Sequence, residues 1–386
     1  MAIAFAVPLA LSLAPGLRVP AVVLELVAGI VVGPSGLGLV EVDAPVDVLA
    51  LLGLAMLLFL AGLEIELDAL RGPLLRLALG SFVASFALGL AAGLALRAAG
   101  EVRSAVFVAI VLSATSLGVV IPVLRDAGAT QLPLGRLVIA AASVADIATI
   151  LLLSLLFSEE GGSVTSTLAL LGAFAALAVA IAVTVGRAER SSRLSAALLR
   201  LQDTTAQIRV RGAMLLLVVF AAAAQELGLE VILGAFVAGA LLGVLDRDRA
   251  MRHPALRTKL DAVGFGLLVP VFFVAGGLRF DLEALTADLG ALAKVPILLA
   301  CLLAVRGLPA LLYRRALGSS AAVAAAGLLQ ATSLPFIVAA TAIGAELEVL
   351  GPDTAAGLVA AGLLSLLLFP AGALTLLRRG EGTAPC

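Results

Sequence analysis

One carboxylate near the middle of an apolar segment is the first residue in this sequence with an evident capacity for chemistry. Asp146 lies in residues 132–158, LPLGRLVIAAASVADIATILLLSLLFS, a segment that would rise about 40 Å as a helix, against roughly 30 Å for the hydrocarbon core of a bilayer. A carboxylate at the membrane centre costs about 2.5 to 3.5 kcal/mol on insertion scales, so it normally faces a bundle interior or a hydrated cavity. Its position indicates a proton or cation site, and the alternative is a protonated, hydrogen-bonded structural carboxyl.

Two further charged residues lie deep in apolar segments. Arg306 is twelve residues after Lys294 and eight before Arg314, so its guanidinium either extends along the helix to the membrane surface or balances the carboxylate charge. Glu25 is seven residues after Arg18, and the sequence is compatible with a structural role or a role as a gate.

The composition places these charges in a membrane protein. Hydrophobic residues make up 62% of the 386 residues and charged residues 13%, and the mean hydropathy is +1.20, which is too apolar for a soluble globular protein. The one histidine, His253, and the two cysteines, Cys301 and Cys386, provide neither a metal cluster nor a disulfide framework. We therefore expect no cofactor, no resident metal, no enzymatic activity and no nucleic-acid partner.

Division of the apolar segments at Pro, Gly and charge clusters predicts an all-α polytopic protein with about thirteen membrane spans. The spans are approximately 1–16, 19–34, 46–63, 73–97, 103–124, 132–158, 164–187, 208–225, 229–245, 261–279, 289–313, 319–344 and 350–377. Alternate assignment of the loops places 20 Lys and Arg residues on the side of the C-terminus and 4 on the other side, with Arg306 inside a span. This asymmetry predicts a multi-pass protein of the inner or plasma membrane with a cytoplasmic C-terminus and an external N-terminus.

Three sequence matches relate the two halves of the chain. They occur in the same order at offsets of 210, 214 and 217 residues, and they are VAG at 27–29 and 237–239, FLAGLEIELDAL at 59–70 and FVAGGLRFDLEAL at 273–285, and ATSL at 114–117 and 331–334. Each match pairs a span with the seventh span after it, so the second copy enters the membrane from the opposite side. The pattern predicts an inverted-topology repeat, which is typical of secondary transporters.

The repeat divides one transmembrane domain, residues 1–386, into three parts. Residues 1–187 form the first repeat with a linking span, and residues 208–379 form the second repeat. Between them, the basic segment 188–207 is predicted to be an amphipathic cytoplasmic linker.

The paired ATSL segments also predict two discontinuous helices that cross. Gly118 and Pro122 follow the first segment, and Pro335 follows the second. Hydroxyl groups there can satisfy freed backbone groups or face an ion, and simple packing of small residues is the alternative. The hydroxyls in question are those of Thr115, Ser116, Thr332 and Ser333.

These segments resemble the bacterial monovalent cation:proton antiporter-2 family. The resemblance rests on VPAVVLELVAGIVVGPSGLGLV and LGLAMLLFLAGLEIEL in the first half, SVADIATILLL around Asp146, and LGAFVAGALLG and VPVFFVAGGLRFDL in the second half. It covers nearly the whole chain. It implies a core domain with crossed broken helices that moves against a panel-like dimerisation domain in a homodimer, with a cation and a proton competing for one site.

The family motifs match particular positions of this sequence. Asp146 matches the second residue of the family's Asp-Asp or Asn-Asp pair, the one that binds the ion, whereas Ala145 departs from the first. Arg306 matches the basic residue of the eleventh span, and Thr115 and Ser116 match the polar crossover of the first broken span.

The resemblance implies an antiporter that exchanges Na⁺ or K⁺ for H⁺ across the lipid bilayer. Asp146 would bind the two ions in turn, Arg306 would stabilise the empty anionic site, and Thr332 and Ser333 would line the second crossover. Because Ala145 cannot titrate, one-for-one, electroneutral exchange is expected. The alternatives are an organic-anion/sodium symporter of the same architecture and a non-transporting membrane sensor.

Overall fold

The structure is a computed structural model, and it describes residues 1–13, 20–65, 72–157, 164–188, 204, 207–247, 254–287 and 289–381. Nearly all of these residues are helical, and the only extended pairing in the described part of the chain is one isolated antiparallel bridge between Val102 and Leu350. The all-α prediction is therefore confirmed.

Eighteen α-helices follow one another in the described residues. Those of the first half are α1 (Ala2–Leu13), α2 (Ala21–Val32), α3 (Ala44–Leu63), α4 (Gly72–Ala98), α5 (Ala105–Leu112), α6 (Leu117–Asp126), α7 (Pro133–Leu156) and α8 (Val164–Ala188). Those of the second half are α9 (Ile208–Glu226), α10 (Val231–Arg247), α11 (Pro254–Val263), α12 (Val269–Leu278), α13 (Leu282–Thr286), α14 (Leu289–Gly307), α15 (Arg314–Leu317), α16 (Ser320–Gln330), α17 (Pro335–Glu346) and α18 (Pro352–Glu381). A π-helical turn, Gly264–Leu268, joins α11 to α12, and a 3₁₀ segment, Leu308–Tyr313, joins α14 to α15.

Nine helical segments within the described residues are long and apolar enough to cross a membrane, and three shorter apolar helices accompany them. The polytopic architecture is thus confirmed, whereas the count of thirteen spans stays a prediction. The predicted linker, residues 188–207, lies outside the described residues apart from Ala188, Thr204 and Gln207.

The chain divides into two compact units that do not coincide with its two sequence halves. The first unit comprises residues 1–4, 43–65 and 150–275, and the second comprises 5–42, 66–149 and 276–386. Every candidate site residue named above belongs to the second unit.

The first unit is held together by helices that approach each other at glycines. A Cβ atom on Gly239 of α10 would lie 1.8 Å from the carbonyl oxygen of Phe59 in α3, and one on Gly62 of α3 would lie 2.1 Å from the carbonyl oxygen of Phe236 in α10. Because dispersion contacts drive helix association in a membrane, such close backbone approach supplies much of the stability of this unit.

We expect Gly239→Ala to destabilise the first unit by about 1 to 3 kcal/mol, the usual cost of overpacking. The added methyl group meets backbone and cannot be accommodated by a side-chain rotation. Thermal unfolding in detergent measures the effect. Gly172→Ala in α8 is the matched control, because a Cβ there meets no atom within 4 Å; an equal loss in both variants would contradict the prediction.

In the second unit, an ionic cluster ties the start of α14 to two other segments. The Lys294 ammonium pairs with the carboxylates of Glu101, before α5, and Asp353, at the start of α18. The Thr354 hydroxyl also donates to the carbonyl oxygen of Glu101, over 3.2 Å. The Val102–Leu350 bridge lies beside this cluster in the sequence, so the two loops are held together at several points.

Candidate functional site

Both helices predicted to be discontinuous are interrupted at their ATSL segments. α5 ends at Leu112 and α6 begins at Leu117, while α16 ends at Gln330 and α17 begins at Pro335. Pro335 is the first residue of α17, where the missing N–H removes no helical hydrogen bond. Pro122, by contrast, lies inside α6 and does not cause the first break.

The two interruptions contact each other. The backbone N–H of Ser116 donates to the carbonyl oxygen of Thr332 over 2.9 Å, and the Thr115 hydroxyl donates to the carbonyl oxygen of Gln330 over 2.8 Å. Backbone groups freed by each break are therefore partly satisfied by the other, as membrane-embedded irregular backbone requires.

The interrupted helices run in opposite directions. α5 begins next to Val102 and α17 ends before Leu350, and these two residues form the isolated bridge. At their other ends, α5 and α17 meet the contacting interruptions. Such antiparallel placement is what an inverted repeat requires, although the repeat over the remaining spans stays a prediction.

Arg306 is fully buried beside this crossing. Its Nε and Nη2 donate to the Thr115 hydroxyl oxygen over 2.8 and 2.5 Å, and its Nη1 donates to the Ser85 hydroxyl of α4 over 3.1 Å. Its side chain is 0% exposed, so extension to the membrane surface is excluded. The Arg306 guanidinium lies beside the C-terminal end of α16, where its positive charge compensates the partial negative charge of the helix end.

Thr115 is the central acceptor of this network. Its hydroxyl oxygen accepts from two nitrogens of Arg306 and donates its own proton to Gln330. With one donor and two acceptor sites per hydroxyl, that oxygen has no remaining lone pair for a cation. Thr115 was predicted to bind the ion. Its contacts are instead those of a group that positions Arg306.

Asp146 lies near the middle of α7 and is half-buried. Its charge contributes to the electrostatic environment of the Arg306 guanidinium, after that of Tyr313. Direct pairing of the two deep charges stays a prediction. The preceding Ala145 is 0% exposed, and its carbonyl oxygen accepts from the Thr149 hydroxyl over 2.7 Å. Ser143, on the same helix face as Asp146 at a spacing of three residues, is buried with no partner for its hydroxyl within the described residues.

The other predicted crossover hydroxyls differ in their availability. The Ser116 hydroxyl makes no capping bond at the start of α6. The Thr332 hydroxyl donates back to the carbonyl oxygen of Leu328 in the preceding helix α16, over 3.1 Å. Ser333 is 0% exposed, and its hydroxyl has no partner within the described residues.

Glu25 lies on α2 in the second unit and is only 3% exposed. One of its carboxylate oxygens, Oε2, has no hydrogen-bond partner within the described residues. The structure thus leaves its predicted gate role as a hypothesis, since no contact joins it to Arg306 or Thr115.

Sequence reasoning missed the neutral residues that complete the network. The Ser365 hydroxyl of α18 accepts from the backbone N–H of Ser333 over 3.2 Å. Its single proton is shared between the carbonyl oxygens of Gly362, at 2.7 Å, and Ser333, at 3.1 Å. The others are Ser81, Ser85, Tyr313 and Gln330, all buried around Arg306. A spacing of four residues between Ser81 and Ser85, which places both on one face of α4, was the only signal available.

Comparison with known proteins gives consistent results for sequence and fold. The sodium/hydrogen exchanger transmembrane family matches residues 1–378. A putative Na⁺/H⁺ antiporter of Bacillus subtilis, YjbQ, is 30% identical over 92% of this chain, which spans only 58% of that protein's length. A probable Na⁺/H⁺ antiporter 3 of Methanocaldococcus jannaschii is 26% identical over 96% of this chain and 93% of its own.

The fold is also that of a solved structure, the sodium proton antiporter MjNhaP1 from Methanocaldococcus jannaschii at pH 8. The TM-score is 0.71 at 17% sequence identity, over 98% of this chain and 96% of the other. At that identity the likeness concerns the fold alone.

Proposed function

This chain belongs to the sodium/hydrogen exchanger family, and from that membership we propose that it exchanges a monovalent cation, Na⁺ or K⁺, for H⁺ by alternating access. The names of its sequence relatives support a cation and a proton as the two substrates.

The proposal is supported by the burial of Arg306 at the contact of the two interrupted helices and by the position of Asp146 near the middle of α7. A carboxylate in mid-helix, acted on by a fully buried guanidinium at the contact of two antiparallel interrupted helices, is a site that can hold one extra positive charge. When the carboxylate is empty, Arg306 balances it. When a cation or a proton binds, Thr115 and Ser85 keep the guanidinium hydrogen-bonded in the interior.

In this mechanism the second unit carries the ion site. Asp146 binds the cation and the proton in turn, Arg306 compensates the empty site, and Ser143 and Ser116 are additional oxygen ligands. Thr115 positions Arg306, and Ser365 fixes the backbone at Ser333. The C-terminal ends of α5 and α16 at the crossing add partial negative charge that favours a cation.

The membrane setting follows from the same proposal. We place the protein in the plasma or inner membrane with its C-terminus in the cytoplasm, because the basic residues gather on that side of the predicted spans. Its assembly as a homodimer is proposed from the family resemblance. Purified protein reconstituted into liposomes tests the activity. Adding Na⁺, K⁺ or Li⁺ outside acid-loaded vesicles should drive proton efflux with a clear cation preference, and no cation-dependent flux would contradict the proposal.

Exchange should be electroneutral. One titrating carboxylate holds either one proton or one monovalent cation, and the guanidinium stays protonated throughout. The cation gradient that balances a fixed proton gradient should therefore not move when a potential is imposed. A potential of about 100 mV acts on one net transferred charge with about 2.3 kcal/mol, a shift of roughly 50-fold.

A shift of the balance point with potential would mean that a second group titrates with Asp146. Glu25 is the first candidate, because its buried carboxylate is also in the second unit. Glu25→Gln should then restore a balance point that is independent of potential.

A further inference from the structure

A groove runs along the second unit between α16 and α14 with its 3₁₀ continuation. Its cavity measures about 710 Å³, and from Ala300 to Leu311 its wall on the α14 side is apolar. Leu303, Leu308 and Leu311 line it and are 39, 52 and 55% exposed. Because these residues belong to the membrane span Leu289–Leu317, the groove opens towards the hydrocarbon layer.

The floor of the groove is made of small residues. α14 and α16 touch at Gly307 and Gly327, where a Cβ on Gly327 would lie 2.9 Å from the carbonyl oxygen of Gly307. Ala304 and Ala324 continue the floor. The depth of the groove therefore comes from the sequence, since larger residues at these positions would fill it.

The groove ends at two arginines. A second cavity of about 660 Å³ adjoins the first, shares Leu311 and Arg314 with it, and adds Arg315. Arg314 and Arg315 are both exposed, and neither takes part in an ion pair within the described residues. Ser319 and Ser320, at the start of α16, place hydroxyl donors beside them.

The length of the groove matches one leaflet of a bilayer. From Ala300 to Arg314 the helix and its 3₁₀ continuation rise about 24 Å, while one leaflet with its head groups is about 20 to 22 Å thick. When the candidate span Leu289–Leu317 is centred in a bilayer, the apolar section lies at acyl-chain depth and the two arginines lie near the phosphates.

We propose that this groove binds one anionic phospholipid of the surrounding bilayer. An acyl chain lies between α14 and α16, and the phosphate accepts hydrogen bonds from Arg314 and Arg315. Guanidinium groups pair well with phosphate oxygens, and basic pockets between membrane helices favour anionic head groups. The apolar section distinguishes this site from one for a soluble anion.

Native mass spectrometry of the full chain, released from nanodiscs of phosphatidylcholine and phosphatidylglycerol, tests the proposal. One phosphatidylglycerol should remain bound per chain. The double variant R314Q/R315Q should lower the preference for phosphatidylglycerol roughly 25-fold, since each arginine near a membrane surface contributes about fivefold. The double variant R209Q/R211Q removes the same charge from α9 of the first unit and should leave the preference unchanged.

Ala324→Phe tests the apolar part separately, because Ala324 is exposed and lines the floor. Filling the groove should release the bound lipid, whether phosphatidylglycerol or phosphatidylcholine, while leaving Arg314 and Arg315 in place. Three results would overturn the proposal: an unchanged preference in R314Q/R315Q, an equal loss in R209Q/R211Q, or full lipid retention in Ala324→Phe. Dissociation of a lipid-free dimer by Ala324→Phe would instead assign the groove to contact between two copies, and would also overturn it.

Discussion

Asp146→Asn should reduce cation-dependent proton flux to the level of protein-free liposomes. The amide has the size of the carboxylate, but it carries no negative charge and takes up no proton at physiological pH, so neither substrate can bind. Folding should be preserved, because removal of a charge from the membrane interior lowers the cost of burial. Flux in proteoliposomes and thermal unfolding in detergent measure the two effects.

Glu346→Gln is the matched control for this variant. Glu346 is an exposed carboxylate at the end of α17 in the same unit, so its neutralisation should leave flux near the wild-type rate. Wild-type flux in Asp146→Asn would exclude Asp146 as the exchange site and would direct attention to Glu25, the other buried carboxylate named above.

Arg306→Ala should abolish exchange and also destabilise the protein by about 3 to 5 kcal/mol, the usual cost of removing one partner from a buried charged network. The truncation leaves the hydroxyls of Thr115 and Ser85 without their donors and the Asp146 charge without its cation. Arg306→Lys keeps the charge but loses the planar fork that reaches both hydroxyls. It should therefore fold better than Arg306→Ala and still exchange more slowly than wild type.

The control for stability is Arg103→Ala. Arg103 pairs with Glu348 over 3.2 Å, but the two side chains are 75 and 79% exposed, and exposed pairs contribute little to stability. The midpoint of thermal unfolding should fall clearly for Arg306→Ala and hardly for Arg103→Ala. Equal midpoints in the two variants would contradict the structural role given to Arg306.

Charged residues in apolar segments were the part of the site that the sequence predicted best. Asp146 and Arg306 each interrupt a run of apolar residues, and a membrane leaves so few reasons for a buried charge that both could be singled out from the cost of burial alone. Their joint role stays a prediction. The breaks at the two ATSL segments were also predicted, because the same four residues recur at a fixed offset.

The partners of Arg306 could not be predicted in the same way. Ser81, Ser85 and Gln330 are neutral, and Ser and Thr are common at helix contacts in membranes for reasons of packing alone. Their role depends on which helix faces pack together, and no local sequence pattern predicts that packing. The prediction for Thr115 shows the same limit, since its hydroxyl type was identified but its engagement by Arg306 was not.

Local departures from α-helical geometry were missed as well. The prediction treated 289–313 as one uniform span, but the helix tightens into a 3₁₀ segment from Leu308, where Pro309 removes a backbone donor. The π-helical turn at Gly264–Leu268 has no such signal. A Cβ on Gly264 would lie 2.6 Å from the side chain of Leu60 in α3, whereas one on Gly266 would meet no atom within 4 Å. The need for Gly264 thus arises from packing within the first unit.

The two ATSL segments have identical sequences but unequal contacts, and this bears on how such a chain arose. The Thr115 hydroxyl accepts from Arg306, whereas the Thr332 hydroxyl donates back to Leu328 in the preceding helix α16. The two ATSL segments are 217 residues apart, and the residue 217 positions before Arg306 is Gly89. A Cβ at Gly89 would already lie 3.1 Å from the backbone of Ala109, so an arginine does not fit there. An ancestral pair of identical half-length proteins would have carried two arginines at the crossing or none. On the proposed repeat, a single cation matched to a single carboxylate therefore postdates the duplication and fusion of the two halves.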